Sequence, residues 1–143
     1  MKLKIILPFL VLTLAVFAEE TNTINQAKPV AADAQIQRGK YLVERVGMCG
    51  ECHSPHNDKG EYDRSQWLQG ELIDFKPTRP MPFAAIAPPI AGLPTYARDD
   101  QAVAFFETGT NSLGKPALPP MPQFRLNHED ALAVVAYLRS LKR

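Results

Sequence analysis

The sequence predicts an all-α fold in which three or more helices and proline-rich loops wrap around a flat apolar group. Three observations carry this. Apolar residues recur at helical spacing in three stretches, the last of them bounded by clear start and stop signals. Two proline-rich stretches hold large apolar side chains, although proline bars them from helix and from a central strand. No segment shows the period-two alternation of a half-buried strand.

Residues 1–18 read as a secretory signal. Lys2 and Lys4 make the positive start, Ile5 to Phe17 the apolar core, and Val16-Phe17-Ala18 a cleavage site. The apolar run falls short of the roughly 20 residues that a membrane span needs, so an uncleaved anchor is the minority reading. No cysteine near position 18 offers a lipid attachment point. The expectation is export, most simply to a bacterial periplasm. Glu19 to Ala32, polar with one proline, reads as a flexible lead-in. Residues 33–143 read as a single domain.

Asp33 is a candidate cap for a first helix running to about Val46, whose apolar side collects Ile36, Leu42, Val43 and Val46. Gly39 lies near that face, where a glycine is tolerable if another helix must approach closely. Gly47 ends the helix. After a polar loop come Trp67 and Leu68. Trp67 has two readings: an aromatic packed on a flat cofactor, or an ordinary partly buried side chain. From Lys76 to Pro94, six of nineteen residues are proline, and Met81, Phe83, Ile86, Ile90 and Leu93 sit among them. A stiff extended chain of this kind loses little entropy when it wraps an apolar object.

The second helix fits Asp99 to Thr108, with Ala102, Val103, Phe105 and Phe106 as its bulk and Gly109 as its stop. A further proline-rich run covers Lys115 to Pro122. In the last helix Asn127 is the N-cap and Glu129 and Asp130 lie in the first turn. Ala131, Val134, Val135, Leu138 and Leu141 form its stripe, and Arg139, Lys142 and Arg143 close it.

Between the first helix and the polar loop stands Cys49-Gly50-Glu51-Cys52-His53. C-x-x-C-H is the attachment pattern of a c-type haem: the thiols add to the porphyrin vinyl groups and the adjacent histidine is delivered to the iron. Other readings of C-x-x-C fit less well. A tetrahedral zinc site needs more ligands, and the chain has no further cysteine and only His53, His56 and His128. A thioredoxin-like pair needs a βαβ setting that is not visible. A disulfide between Cys49 and Cys52 would close a strained four-residue loop. One covalently attached haem could also supply core that a chain of this size lacks.

Of 16 basic and 15 acidic side chains, two lysines and no acid fall within residues 1–18, which leaves 14 against 15. No basic excess exists to hold nucleic acid.

With these motifs in hand the sequence resembles the class I cytochromes c over roughly Arg38 to Leu141. Arg38-Gly39-Lys40-Tyr41-Leu42 is similar to that family's N-terminal helix. Ala87-Pro88-Pro89-Ile90-Ala91-Gly92 stands in the place of its G-P-x-L-x-G segment, with Ala for the first Gly and Ile for Leu. Pro120-Met121-Pro122 and Ala136-Tyr137-Leu138 match its distal methionine and the A-Y-L of its last helix. The spacing from His53 to Pro88 is longer than in compact members, which implies an insertion across about Ser54 to Ala87. The resemblance implies that the terminal helices cross, with Gly39 letting Tyr137 pack closely. It implies that the Pro88 carbonyl holds His53, and that His53 and Met121 bind the iron.

Position supports the last of these. Met81 shares the Pro-Met-Pro setting of Met121, but it precedes the Pro88 segment and would have to visit the distal face and return. Met48 is too close to Cys49, His56 too close to His53, and His128 is expected at the surface. The implied function is single-electron transfer rather than enzymatic catalysis, with unidentified redox partner proteins as donor and acceptor. Membrane contact is expected only through a redox complex or an uncleaved anchor. The alternative is a haem enzyme or ligand sensor with an open or labile distal site.

Overall fold

The computed structural model describes residues 23–141, with side chains from residue 31 onward. The segment read as a signal, Glu19 to Asn22, and the last two residues lie outside the described residues. Helix α1 spans Thr23–Tyr41 and passes into a π-helical turn, Leu42–Val46. The short α2, Gly50–His53, carries most of the cysteine–histidine motif. A 3-10 turn at Arg64–Gln66 precedes a two-stranded antiparallel ribbon, β1 (Glu71–Leu72) and β2 (Ile86–Ala87), in which Glu71 pairs with Ala87 and Leu72 with Ile86. Helices α3 (Asp99–Thr108) and α4 (His128–Ser140) complete the order. The fold is helical, as expected. Strands of two residues are too short to leave an alternating pattern.

The first helix begins earlier than the sequence suggests. Residues 23–32, expected as lead-in, are helical, and Asp33 lies inside α1 rather than capping it. Ala31, Ala32 and Ala34 favour helix without burying anything. An exposed helix of this kind leaves no apolar stripe to read, and residues 31–35 are all exposed. Val46 also departs from expectation: it is 55% exposed, because the π-helical turn rotates it off the face that buries Leu42 and Val43.

α1 crosses α4, and Gly39 is where they meet. A Cβ there would overlap the Ala133 carbonyl and stand 2.8 Å from the Tyr137 Cβ. Arg38 fixes the crossing with a forked contact to Asp130, Nε to Oδ1 at 2.8 Å and Nη2 to Oδ2 at 3.1 Å. The Tyr137 hydroxyl donates to Glu44 Oε1 at 2.6 Å. α3 packs on the other side of α4 and ends at Gly109, whose φ of 69° is the left-handed stop that glycine favours. Asn127 caps α4 by accepting from the Asp130 amide at 2.8 Å. The core gathers Leu42, Val43, Val103, Phe106, Val134 and Leu138.

The segment between His53 and Pro88 is laced to the rest by backbone. Gly70 N–H donates to the His53 carbonyl at 2.7 Å, and the Leu68 carbonyl accepts from Ile90 at 2.9 Å and Ala91 at 3.1 Å. The buried Ser54 hydroxyl oxygen accepts from the Leu68 amide at 2.8 Å. These bonds hold the Pro88 segment against the motif. No helix among the described residues is long and apolar enough to cross a membrane.

Candidate cofactor site

Gly47 closes the π-helical turn, its amide donating to the Leu42 carbonyl at 2.7 Å. The left-handed residue is the next one, Met48 (φ 44°), and it turns the chain into α2. The His53 amide then bonds the Cys49 carbonyl at 2.9 Å, one helical turn. Residues three and four apart share a helix face, so this turn places Cys49, Cys52 and His53 together. All three border one cavity of about 360 Å³.

His53 is buried, and its Nδ1 lies 2.7 Å from the Pro88 carbonyl oxygen. A carbonyl can only accept, so Nδ1 carries the proton and Nε2 keeps its lone pair. Desolvation pushes the His53 pKa down, and the bond to Pro88 opposes this only in part. The imidazole is therefore neutral near pH 7, the form that binds metal. Burial pushes the Cys49 thiol up to about 11, and burial followed by the charges of Glu51 and Asp74 also raises Cys52. Redox and zinc cysteines need the opposite, a stabilised thiolate. Among the described residues no group of three His, Cys, Asp or Glu could hold a metal ion.

Another wall of the cavity is the proline-rich run that includes Pro116, Leu118, Pro120, Met121 and Pro122. Met121 is thus on the same cavity as His53. Met81 is not: it is 50% exposed and lines no part of it. Met48 borders the cavity beside Cys49. His56 is exposed and packs on Tyr62, ring centroids 4.8 Å apart, while exposed His128 bonds Glu107 Oε1 at 2.7 Å. Trp67 does not line the cavity. It packs behind the motif on Gly50, where a Cβ would meet its ring at 2.6 Å, and the Arg64 guanidinium lies 4.4 Å from its ring centre. Its ring is partly buried.

Thr95, Tyr96, Phe105, Asn111 and Phe124 also border the cavity, and the sequence reading assigned none of them to the site. Arg139 of α4 places Thr95 and Tyr96 by donating to the carbonyls of Gly92 and Tyr96, both at 2.7 Å. Two thiols, a neutral imidazole and a thioether on one largely apolar cavity are a donor set that fits a covalently attached c-type haem.

Comparison with known proteins agrees with this chemistry. A sequence model of the family described as cytochrome c matches residues 36–142. A diheme cytochrome c-type protein of Cereibacter sphaeroides is 59% identical over 34 residues, 24% of this chain and 12% of that protein. The fructose dehydrogenase cytochrome subunit of Gluconobacter japonicus is 31% identical over 109 residues, 73% of this chain and 21% of the relative. A nicotinate dehydrogenase subunit of Pseudomonas putida is 31% identical over 118 residues, 76% of this chain and 9% of the relative. The chain therefore spans about a fifth or less of the length of each.

Proposed function

This chain belongs to the cytochrome c family, and we propose that it serves as an exported, periplasmic single-electron carrier with one haem c held by Cys49 and Cys52 and ligated by His53 and Met121. The family assignment itself carries haem-based electron transfer. One observation carries the finer reading: Met121 shares a cavity with Cys49, Cys52 and His53, whereas Met81 lies outside it.

When bound, the haem supplies a one-electron iron couple. The chain's residues set its terms. The Pro88 carbonyl orients His53 and keeps its proton on Nδ1, leaving Nε2 for iron. Met121 offers a thioether, which favours the reduced state. Ile90, Phe105 and Phe124 exclude water from the site and lower its dielectric. No side chain has to give up or take an atom, so one electron enters and one leaves with little rearrangement.

Two relatives are named as a cytochrome subunit of fructose dehydrogenase and a subunit of nicotinate dehydrogenase, which supports a dehydrogenase as the electron donor. The test is a pyridine haemochrome spectrum of the exported protein, followed by carbon monoxide addition to its reduced form. The expected result is one covalent haem per chain and no rapid carbon monoxide binding. Absence of covalent haem would end the reading, and rapid binding would favour a ligand sensor or enzyme.

A further inference from the structure

α4 ends in a cation whose bonds lie outside its own helix. Arg139 stands in the last turn, where positive charge suits the helix dipole. Its guanidinium reaches across to the irregular segment between the Pro88 run and α3. Nη1 donates to the Gly92 carbonyl at 2.7 Å and to that of Leu93 at 3.3 Å, and Nη2 donates to that of Tyr96 at 2.7 Å. Nε completes the set with Asp99 Oδ1 at 2.7 Å. One side chain thus holds three carbonyls of residues 92–96 and ties them to the first residue of α3.

The segment needs such a clamp. Gly92 (φ 71°) and Leu93 (φ 50°) are both left-handed, a conformation that glycine adopts freely and the buried Leu93 does not. A strained turn persists only where its surroundings over-determine it. Among the described residues no backbone amide donates to the Gly92 or Tyr96 carbonyl, so Arg139 supplies the bonds that the backbone does not. What the turn carries is a wall of the cavity. Thr95 and Tyr96 border it, and the Tyr96 ring leans on Phe105, which borders it from α3, with centroids 5.9 Å apart. Arg139 itself does not line the cavity.

Resting on the reading that haem occupies this cavity, we propose that Arg139 is a positioning residue for the redox reaction: it clamps residues 92–96 so that Tyr96 seals the cavity against water and keeps the reduction potential high. Ferric iron carries one more positive charge than ferrous iron, so water beside the cofactor favours the oxidised state and a closed apolar wall favours the reduced one. Lysine is no substitute here, because a compact ammonium lacks the rigid fork that reaches Gly92, Tyr96 and Asp99 at once.

The test is a double-mutant cycle on the reduction potential of the haem-loaded protein, read by spectroelectrochemical titration. Arg139→Lys keeps the charge, so the expected fall in its potential reports the wall and not the cation. Tyr96→Ala should lower the potential as well, and the double variant should fall no further than Tyr96→Ala alone. Asp99→Asn breaks the ion pair but leaves the carbonyl bonds, and should not lower the potential. In the reduced protein the Tyr96 ring resonances, displaced by the porphyrin ring current, should move toward their ordinary positions in Arg139→Lys and remain in place in Asp99→Asn. An Arg139→Lys protein that melts earlier at unchanged potential would make Arg139 a purely structural residue. Strictly additive shifts would show that it acts by a route other than Tyr96. A Tyr96→Ala protein at the parent's potential overturns the assignment even if the arginine variant does not fold. Absence of covalent haem ends the parent reading instead; a haem-loaded protein that fails these comparisons ends only the role of Arg139.

Discussion

Met121 and Met81 stand in identical Pro-Met-Pro settings, so chain stiffness cannot distinguish them, and only their place in the fold does. Met121→Ala is expected to abolish the thioether–ferric-iron charge-transfer band and to open the iron to carbon monoxide. Met81→Ala should leave both unchanged; visible spectroscopy of the two variants decides, and the reverse pattern would move the ligand to Met81. The histidine side is as specific. With Nδ1 bonded to the Pro88 carbonyl at 2.7 Å, the imidazole cannot rotate without losing its acceptor. These residues were legible because the chemistry demands them at fixed spacing or in a stiff setting. Thr95, Tyr96 and Asn111 were not, because a residue that lines a cavity needs no motif, and their distance from Cys49 in the chain hides their nearness in space.

At the level of elements, the crossing of α1 and α4 depends on a missing side chain. The atom that a Cβ at Gly39 would strike belongs to the Ala133 backbone, which cannot move aside as a flexible side chain could. Gly39→Leu should therefore destabilise the fold by about 1–3 kcal/mol through overpacking, read as a lower denaturant midpoint at unchanged slope. Arg38 and Asp130 secure the same crossing electrostatically. The side-chain bond from Arg38 holds the Asp130 carboxyl below its ordinary range. A group whose folded pKa is depressed adds stability above its unfolded value, near 3.9, and loses it as the pH falls through the folded value. Arg38→Ala should thus lower the melting temperature slightly at neutral pH, because the pair is partly exposed, and the difference should close in acid. Helices α3 and α4 were legible from their stripes and stop or cap residues. Residues 31–35 of α1 were not, since an exposed alanine-rich stretch has no stripe to display.

Seen as a whole, the molecule separates its helical core from the walls of its cavity. The core residues Leu42, Val43, Val103, Phe106, Val134 and Leu138 do not border the 360 Å³ cavity, whose walls come chiefly from the α2 turn, the ribbon and the proline-rich runs, with Tyr96, Phe105 and Phe124 joining them to the core. The two parts are stabilised differently. Helix packing buries apolar surface against apolar surface within the chain. The loop walls enclose the cavity, so their apolar side chains reach full burial only against the group it holds. Proline lowers the entropy such loops lose on closing, but it also removes the backbone donors that would let them hold each other. The ribbon is only two residues per strand and cannot hold them unaided. A Cys49→Ala/Cys52→Ala protein, unable to attach haem, should therefore come apart unevenly. Amide hydrogen exchange should remain slow in α3 and α4, and become fast across residues 73–87 and 109–122. Proteolysis should cut first within those same runs, and far-UV circular dichroism should keep most of its helical signal. Uniform loss of protection, with α4 exchanging as fast as the Met121 segment, would show that the haem holds the whole chain together rather than its loops alone.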